Sequence, residues 1–268
     1  MAGRGTGPDF VEALARGLDV LTCFGVERPQ MTLAEIASAT SLARPTARRL
    51  LLTLEELGYV RASRGVYALT PRVLRLGSAY ASSLGLWEMA RPHLESLVAA
   101  TGESSSMSQL DGSDIVYVAR VAVPKLIALR VDIGTKFPAA VTSQGKVLLA
   151  ALDPAERARV LAEPSRSGLT PVGVDLADLE VELRTVRARG WASADEELAR
   201  GVRSVAVPVR DGEGVVRAAA NVTVHAAETS LETLTGSYLP LLMRTAGDIS
   251  ADWAAWSARP HVEALGRA

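Results

Sequence analysis

Residues 32–57, TLAEIASATSLARPTARRLLLTLEEL, carry two short amphipathic patterns separated by only a few residues. Thr32 and Glu35 have the spacing of a capping box, which starts a first helix. SLA at positions 41–43 forms a short turn, and Gly58 ends a second helix. The apolar residues of that second helix recur at helical spacing and define its inner face: Ala47, Leu50, Leu51, Leu54 and Leu57. Two helices so closely joined predict a helix-turn-helix.

The exposed side of the second helix is basic at its start. No Asp or Glu occurs between Glu35 and Glu55, although arginines near a helix N-terminus are mildly unfavourable by themselves. DNA phosphate and guanine edges would offset that cost, because the arginine fork fits both. We therefore expect this part of the helix to enter or flank a major groove through Arg44, Pro45, Thr46, Arg48 and Arg49.

A basic hairpin follows the second helix. Two β-prone runs, at 59–61 and 66–69, surround Ser63-Arg64-Gly65, and a hairpin at this place predicts the wing of a winged helix. Arg64 would then touch the DNA backbone or the minor groove. Residues 1–77 hold ten Arg, no Lys and seven acidic residues, whereas the whole chain has a net charge of −1. The positive charge is therefore concentrated in this first region.

Two other interpretations of this region remain open. Arginines on a surface helix usually form a solvated face without a partner. Winged helices also serve as protein-interaction modules, so the motif alone does not establish DNA binding.

The rest of the chain predicts an α+β organisation. We expect a disordered N-terminus at 1–8, a winged helix-turn-helix at 9–77 that begins with a helix from Asp9, and a linker or dimerisation helix at 78–100. From Ser104 the apolar period changes to two, with hairpins near 111–112 and 211–214, a strand LIALRV, and helices at 142–152, 153–162 and 175–189. This pattern predicts a second domain at 101–258 around a curved antiparallel sheet, followed by a tail at 259–268.

Several classes of protein are disfavoured. A single cysteine, Cys23, allows no internal disulfide, and no uncharged apolar run reaches the ~18 residues of a membrane helix. The N-terminus lacks a hydrophobic signal region, so we expect a cytoplasmic protein with no membrane partner. His93, His225 and His261 lie too far apart for metal-ligand spacing, and we predict no cofactor and no metal.

A serine motif leaves one enzymatic alternative. Ser143-Gln144-Gly145-Lys146 matches S-x-x-K, the nucleophile motif of some hydrolases, but the companion motifs S-D-N and K-T-G are absent. A small-molecule hydrolase that uses the Ser143/Lys146 region is therefore the alternative from a different functional class, and no catalytic residue is assigned.

Four segments, in this order, resemble the IclR family of bacterial transcriptional regulators: ARGLDVLTCF, TLAEIASATSLARPTARRLLLTLEELGYV, GTKFPAAVTSQGKVLLA and DEELARGVRSVAVPVRDGEGVV. The resemblance covers about residues 9–257. The stretch LTPRVLRLGSAYASSLGLWEMARPHLESL, with ESSS and DIVYVARV after it, is similar to the branch that controls protocatechuate, 4-hydroxybenzoate and β-ketoadipate catabolism.

The resemblance implies a ligand-responsive, sequence-specific DNA-binding regulator with a GAF-like effector domain. Its partners would be double-stranded operator DNA and a small organic acid, either an aromatic acid or one like β-ketoadipate, and it would act as a homodimer or a dimer of dimers. The family's effector-contacting positions match Leu126, Leu129, Phe137, Ser143, Gln144, Val202, Ser204, Asn221 and Thr223.

Three further expectations concern the effector site. An arginine is the natural partner of a carboxylate, and the candidates are Arg120, Arg130 and Arg203. Ala194 stands where some relatives place an acidic pocket residue, which suits an anionic ligand. Asn221 and Thr223 alternate along a strand and should face the same side.

Overall fold

The computed structural model describes residues 7–25, 27–76, 86–124, 131–169 and 174–258. Their chain forms two compact units, residues 1–84 and residues 85–268. The predicted strand LIALRV, with Leu126, Leu129 and Arg130, falls mostly outside the described residues, as do most of the predicted N-terminus and the tail at 259–268.

The N-terminal unit is a winged helix-turn-helix. Its helices are α1 (Glu12–Thr22), α2 (Leu33–Ala39) and α3 (Arg44–Glu56), and its strands are β1 (Gln30–Thr32), β2 (Val60–Ser63) and β3 (Val66–Leu69). The strands form an antiparallel sheet in the order β1-β3-β2, so β1, which the sequence did not reveal, joins the wing. Helix α1 begins at Glu12 rather than at Asp9, with Val11 as its N-cap.

Local chemistry fixes the turn between α2 and α3. The capping box at Thr32 and Glu35 is present, with the Glu35 carboxylate accepting from the Thr32 backbone N–H at 2.7 Å. Ser41 adopts a left-handed conformation with φ of 55°, and the Leu42 N–H donates to the Ala37 carbonyl at 2.9 Å. These bonds close the end of α2 and redirect the chain sharply into α3.

The C-terminal unit is built on a six-stranded antiparallel sheet in the order β6-β5-β4-β9-β8-β7. The strands are β4 (Ser104–Asp111), β5 (Asp114–Val121), β6 (Lys136–Pro138), β7 (Ala192–Asp195), β8 (Val202–Arg210) and β9 (Val216–His225). The short strand β6 was not anticipated by the sequence analysis. The α+β class with an antiparallel sheet is confirmed.

Helices pack on the sheet and bury it. They are α4 (Leu86–Thr101), α5 (Ser143–Ala151), α6 (Pro154–Ala162), α7 (Leu176–Arg189) and the closing α8 (Leu239–Ser257), which a helical turn at Leu231–Thr233 and a π-helical turn at Leu234–Tyr238 precede. Helix α5 contacts β8, β9 and α7, whereas α8 contacts β8 and α4. Among the described residues, none of these helices combines the length and apolar character that a bilayer crossing requires.

The two faces of the sheet follow the alternation of its strands. Ala206 and Ala219 belong to the core that α5 and α7 share with the sheet. Neighbours of opposite parity are equally buried: Val205, Val207, Ala218, Ala220 and Val222. Because successive strand residues point to opposite faces, these residues belong to the other face of the sheet.

Candidate nucleic-acid interface and ligand cavity

Helix α3 presents a basic, solvent-exposed start. Arg44, Pro45, Arg48 and Arg49 are exposed and Thr46 is half-buried, whereas Ala47 and Leu51 are fully buried on the opposite side. Within the described residues, the guanidinium groups of Arg44, Arg48 and Arg49 form no ion pair and no hydrogen bond. The N-cap, Ala43, makes no side-chain cap bond, and the first turn has no acidic residue. Backbone N–H groups and arginines are therefore both available to an external anion.

The tip of the wing holds an arginine in an uncommon conformation. Arg64 has φ of 50° and Gly65 has φ of 83°, and they connect Ser63 and Val66, which pair across β2 and β3. Positive φ at both central residues matches a type I′ hairpin turn, which favours Asn and Gly rather than Arg. The left-handed conformation costs free energy at a non-glycine residue, so an arginine here points to a use for its charge.

The C-terminal unit contains a cavity of about 80 Å³ between the start of α5 and the sheet. Six of the predicted effector-contacting residues line it together: Ser143, Gln144, Val202, Ser204, Asn221 and Thr223. They share the cavity with Val141, Thr142, Ala194, Leu198, Gly201 and His225. Residues predicted from dispersed segments thus meet in one region.

Four other predicted residues are not among the described residues that line this cavity. Arg130, Leu126 and Leu129 are outside the described residues. Phe137 is buried beside the cavity, where its ring packs edge-on against Tyr117 with centroids 5.8 Å apart.

Arg203 is on the wrong face of the sheet for a ligand clamp. It alternates with the cavity residues Val202 and Ser204, and its Nε donates to the Asp195 carboxylate at 2.6 Å. Its Nη1 also donates to the Thr229 carbonyl at 2.8 Å. The strand alternation and these two bonds hold the guanidinium away from the cavity lining.

Arg120 is the candidate clamp that the structure brings to the cavity, together with Tyr117, which sequence reasoning missed. A one-residue register shift of β5 against β4 pairs Ala119 with Met107 but Tyr117 with Ser108. This bulge interrupts the alternation, so residues three apart both reach the cavity. The sequence does show Tyr117 three positions before Arg120. It does not show the bulge that brings both side chains to the cavity, because the bulge depends on how β5 pairs with β4.

Burial tunes both groups. Desolvation raises the pKa of Tyr117 to about 12, so its phenol is protonated at neutral pH. Desolvation also lowers the pKa of Arg120, because a charged guanidinium loses hydration in this half-buried place. An anionic ligand would compensate for the lost hydration of the arginine.

Ser106 organises the polar floor of the cavity. Arg120 Nη1 donates to Ser106 Oγ at 3.1 Å, and the Asn221 Oδ1 accepts from the Ser106 N–H at 3.1 Å. Gln144 Nε2 donates to the Ser106 carbonyl at 3.2 Å and to the Ala219 carbonyl at 3.0 Å. Asn221 Nδ2 donates to Thr223 Oγ1 at 2.9 Å. The predicted effector-contacting residues Asn221 and Thr223 are therefore hydrogen-bonded to each other in this structure.

One polar atom of this floor lacks a partner. Gln144 Oε1 is buried and forms no hydrogen bond with the described residues. Buried polar atoms without partners are rare, because desolvation is then uncompensated. Gln144 Nε2 already donates two hydrogen bonds, so Oε1 is the polar atom of this side chain that is still available as an acceptor.

Ser143 and Lys146 are not arranged as a nucleophile and its base. Ser143 Oγ is 2.7 Å from Ser204 Oγ. Lys146 Nζ is instead bound by Glu182 and Glu197. Within the described ranges, His, Cys, Asp and Glu side chains form no group of three suited to a metal ion.

Family models match both units. A model described as the IclR helix-turn-helix domain matches residues 13–64, and one described as bacterial transcriptional regulator IclR C-terminal matches residues 78–251. The chain is 38% identical over 244 residues to the Pca regulon regulatory protein of Pseudomonas putida, covering 90% of this chain and 84% of the relative. It is 34% identical to the p-hydroxybenzoate hydroxylase transcriptional activator of Acinetobacter baylyi, covering 90% and 91%.

A solved structure shares the whole architecture. It is an IclR homolog from Microbacterium hydrocarbonoxydans complexed with 4-hydroxybenzoate, with a TM-score of 0.78 and 25% identity. The similarity covers 91% of this chain and all of that one.

Proposed function

Starting from the fact that this chain belongs to the IclR family of bacterial transcriptional regulators, we propose that an aromatic carboxylic acid binds its cavity and controls its affinity for operator DNA. The protein is a DNA-binding regulator and not an enzyme, like the family as a whole. The relatives named above regulate the pca regulon and p-hydroxybenzoate hydroxylase, and this supports an aromatic catabolic pathway as the one controlled here.

The ligand chemistry follows from the polar groups of the cavity. Arg120 supplies a charged donor for a carboxylate, and the protonated Tyr117 phenol supplies a neutral donor. Gln144 Oε1 offers a buried acceptor without a partner, which suits a hydroxyl on the same molecule. The single observation that carries the proposal is this pairing of a desolvated arginine with an orphaned acceptor, because 4-hydroxybenzoate has both complementary groups.

Other residues complete the proposed effector site. Val202 and Ser204 from β8, Asn221 and Thr223 from β9, and Ser143 from α5 line the same cavity. We propose that the first turn of α5 also favours the carboxylate, since a helix N-terminus carries partial positive charge. Leu126 and Leu129 stay proposed contacts on the strength of the family resemblance alone, and Arg130 stays a proposed carboxylate partner because of its guanidinium.

The DNA side of the proposal rests on α3 and the wing. Arg44, Arg48 and Arg49, with Pro45 and Thr46, are proposed to meet the major groove, and Arg64 to meet phosphate or the minor groove. Their exposure and lack of protein partners within the described residues support this role. We propose that residues 9–77 bind DNA, residues 101–258 bind the effector and residues 78–100 join them. We propose a cytoplasmic location, because the protein must reach the bacterial chromosome to bind its operator.

We propose a homodimer, or a dimer of dimers, as the active form. Phe10, just before α1, is 41% exposed, and Leu14 and Leu18 within α1 are 64% and 49% exposed. An apolar stripe of this kind is costly in water and is typical of a surface that associates with another copy. Two recognition helices would then read a near-palindromic operator.

Calorimetry tests the ligand half of the proposal. 4-Hydroxybenzoate should bind the wild type with one site per chain, and Gln144→Leu should weaken binding by about tenfold, because the ligand hydroxyl loses its acceptor. Ser113→Ala provides a matched control, since Ser113 Oγ is another buried atom without a partner among the described residues and does not line the cavity. Wild-type protein that ignores 4-hydroxybenzoate, protocatechuate and benzoate alike would overturn the proposal.

A further inference from the structure

Lys146 is a buried charge that neither the S-x-x-K interpretation nor the effector chemistry explains. Its side chain is only 2% exposed, although lysine is among the residues most rarely buried. It lies in α5, whose first turn brings Ser143 and Gln144 to the cavity. A desolvated ammonium therefore lies one helical turn behind the effector site.

The ammonium joins three parts of the C-terminal unit. Both carboxylate oxygens of Glu197 lie 2.7 Å from Lys146 Nζ, and Glu182 Oε1 on α7 lies at 2.8 Å. The Ser193 carbonyl of β7 completes the shell at 3.5 Å. The three N–H donors of the ammonium therefore face acceptor groups of three residues, Glu182, Ser193 and Glu197, and this arrangement fixes the position of Nζ.

Glu197 belongs to the segment 196–201, which we call the cavity loop. Leu198 and Gly201 of this loop line the effector cavity together with Ser143 and Gln144 of α5. The loop is held in an uncommon backbone conformation, because Glu196 has φ of 59° and Gly201 has φ of 79°. Glu196 Oε2 accepts from the Gly201 N–H at 2.8 Å, so the loop closes on itself while Glu197 anchors it to α5.

Stability alone is a weak reason for this arrangement. The buried ammonium loses its hydration, while the two glutamate side chains stay partly exposed, and a buried charge is often no better for stability than an apolar group of the same volume. The advantage of the Lys146 ion pairs is geometric, because the ammonium and its carboxylate partners form their hydrogen bonds in only one arrangement of the elements that carry them. Lys146 and Glu197 here belong to α5 and the cavity loop, and both of these elements contribute residues to the cavity lining.

We propose that Lys146 is a positioning residue for effector binding, which sets the distance between the cavity loop and the first turn of α5 through its bond to Glu197. This inference rests on the proposed function for the identity of the ligand. The anchoring of the cavity loop by Lys146 can be tested without any ligand. The loop held by Glu197 retains the ligand, and a released loop lets it leave faster.

Two neighbouring glutamates provide a matched pair of variants. Glu197→Gln removes the charge on the cavity loop, whereas Glu182→Gln removes the charge on α7 and leaves the loop anchored. Their carboxylates are 39% and 37% exposed, so both variants change groups that are similarly hydrated. Each variant leaves Lys146 one glutamate partner.

Stopped-flow binding of 4-hydroxybenzoate is the first measurement. Glu197→Gln should raise the dissociation rate about tenfold, and Glu182→Gln should change it less than about twofold. In a Lys146→Met background, Glu197→Gln should have no additional effect, because its partner is already gone. Equal effects of the two glutamate variants, or none from either, would overturn the role of Lys146.

Limited trypsin cleavage is the second measurement and needs no ligand. Arg200 is exposed within the cavity loop, and fragment masses identify cleavage after it. Glu197→Gln should accelerate this cleavage about tenfold relative to Glu182→Gln and the wild type, because local opening exposes the chain. Unchanged cleavage would contradict the anchoring. Wild type that fails to bind 4-hydroxybenzoate would instead contradict the proposed function, and cleavage would still decide whether Lys146 holds the loop.

Discussion

The N-terminal unit keeps its candidate functional groups in solvent, whereas the C-terminal unit buries its own and bonds them to one another. Arg48 and Arg49 are exposed and have no partner among the described residues, while Arg120 and Gln144 share the floor around Ser106. An exposed cation suits a large polyanion, which brings its own charge and releases counterions. A bonded, desolvated set suits a small ligand that must match a few atoms.

The largest expected effect tests how tightly the cavity side is packed. A Cβ added to Gly145 in α5 would lie 2.1 Å from the Ala139 carbonyl oxygen, so Gly145→Ala must push α5 away from its neighbour. We expect the free energy of unfolding to fall by about 3 kcal/mol, as in other overpacked cores. Urea unfolding followed by tryptophan fluorescence measures it, because Trp87, Trp191, Trp253 and Trp256 all belong to the C-terminal unit.

Gly247→Ala is the control for that experiment. Gly247 lies within α8, in the same unit, and nothing comes within 4 Å of a Cβ added there. The helix should therefore gain about 0.5–1 kcal/mol from the substitution. If both variants gave the same midpoint, the close packing of α5 would not exist.

The second effect sharpens the contrast at the cavity. Arg120→Met should weaken 4-hydroxybenzoate binding by about 1.5–3 kcal/mol, because a carboxylate loses a charged hydrogen bond in a desolvated place. Calorimetry measures the loss. Arg217→Met is the matched control, since Arg217 is exposed and paired with Asp211 at 2.6 Å, and it should bind as the wild type does. An equal loss in both variants would exclude a specific clamp.

The third effect belongs to the exposed surface. Arg48→Ala should weaken operator binding by about 1–3 kcal/mol if it contacts a base edge, without changing effector affinity. Fluorescence anisotropy on the intergenic DNA beside its own gene measures the loss. Arg16→Ala should have little effect, because Arg16 is already neutralised by Glu12 at 2.8 Å. If operator affinity were unchanged in Arg48→Ala, the exposed start of α3 would not be the DNA-binding surface that distinguishes the N-terminal unit from the C-terminal unit.

The smallest effect separates charge from conformation at the wing. Arg64→Gly relieves the left-handed backbone and should stabilise the N-terminal unit by less than about 1 kcal/mol. The same change should lower the slope of log affinity against log salt by about 1 as one phosphate contact is lost. Arg64→Asn tolerates the conformation and lacks the charge, so it should show the same slope. A slope equal to the wild type in both variants would leave Arg64 without a DNA role.

Most of the N-terminal unit could be predicted because its signals are local. The capping box, the short turn and the period of α3 each depend on residues within a few positions, and the structure reproduces all three. Strand β1 was missed because three residues, Gln30–Thr32, carry no period of their own and pair with distant Tyr67 only in the fold. The start of α1 was misplaced because Asp9 looked like a cap, whereas Val11 occupies that position.

For the cavity, the sequence predicted several of the lining residues, but it did not predict the strand pairing and hydrogen bonds that connect them. Residues on β8 and β9 were found through the family resemblance, and local strand alternation put Asn221 and Thr223 on the same side. Tyr117 was missed, and Arg203 could not be separated from Arg120 as a candidate clamp, because the bulge in β5 and the face of β8 depend on pairing between strands. The bonds of Lys146 join residues 36 and 51 positions apart, which no sequence window contains.

Reciprocal titration is the most direct test of the central claim that the cavity and the basic surface act on one another. Operator affinity is measured by anisotropy with and without saturating 4-hydroxybenzoate, and 4-hydroxybenzoate affinity is measured with and without saturating operator. Linkage requires the same factor in both directions, about 5–150-fold for typical allosteric coupling, and Arg120→Met should abolish the response of operator binding to 4-hydroxybenzoate at wild-type saturating concentrations. Tight binding of both partners with no change in either affinity would contradict the account.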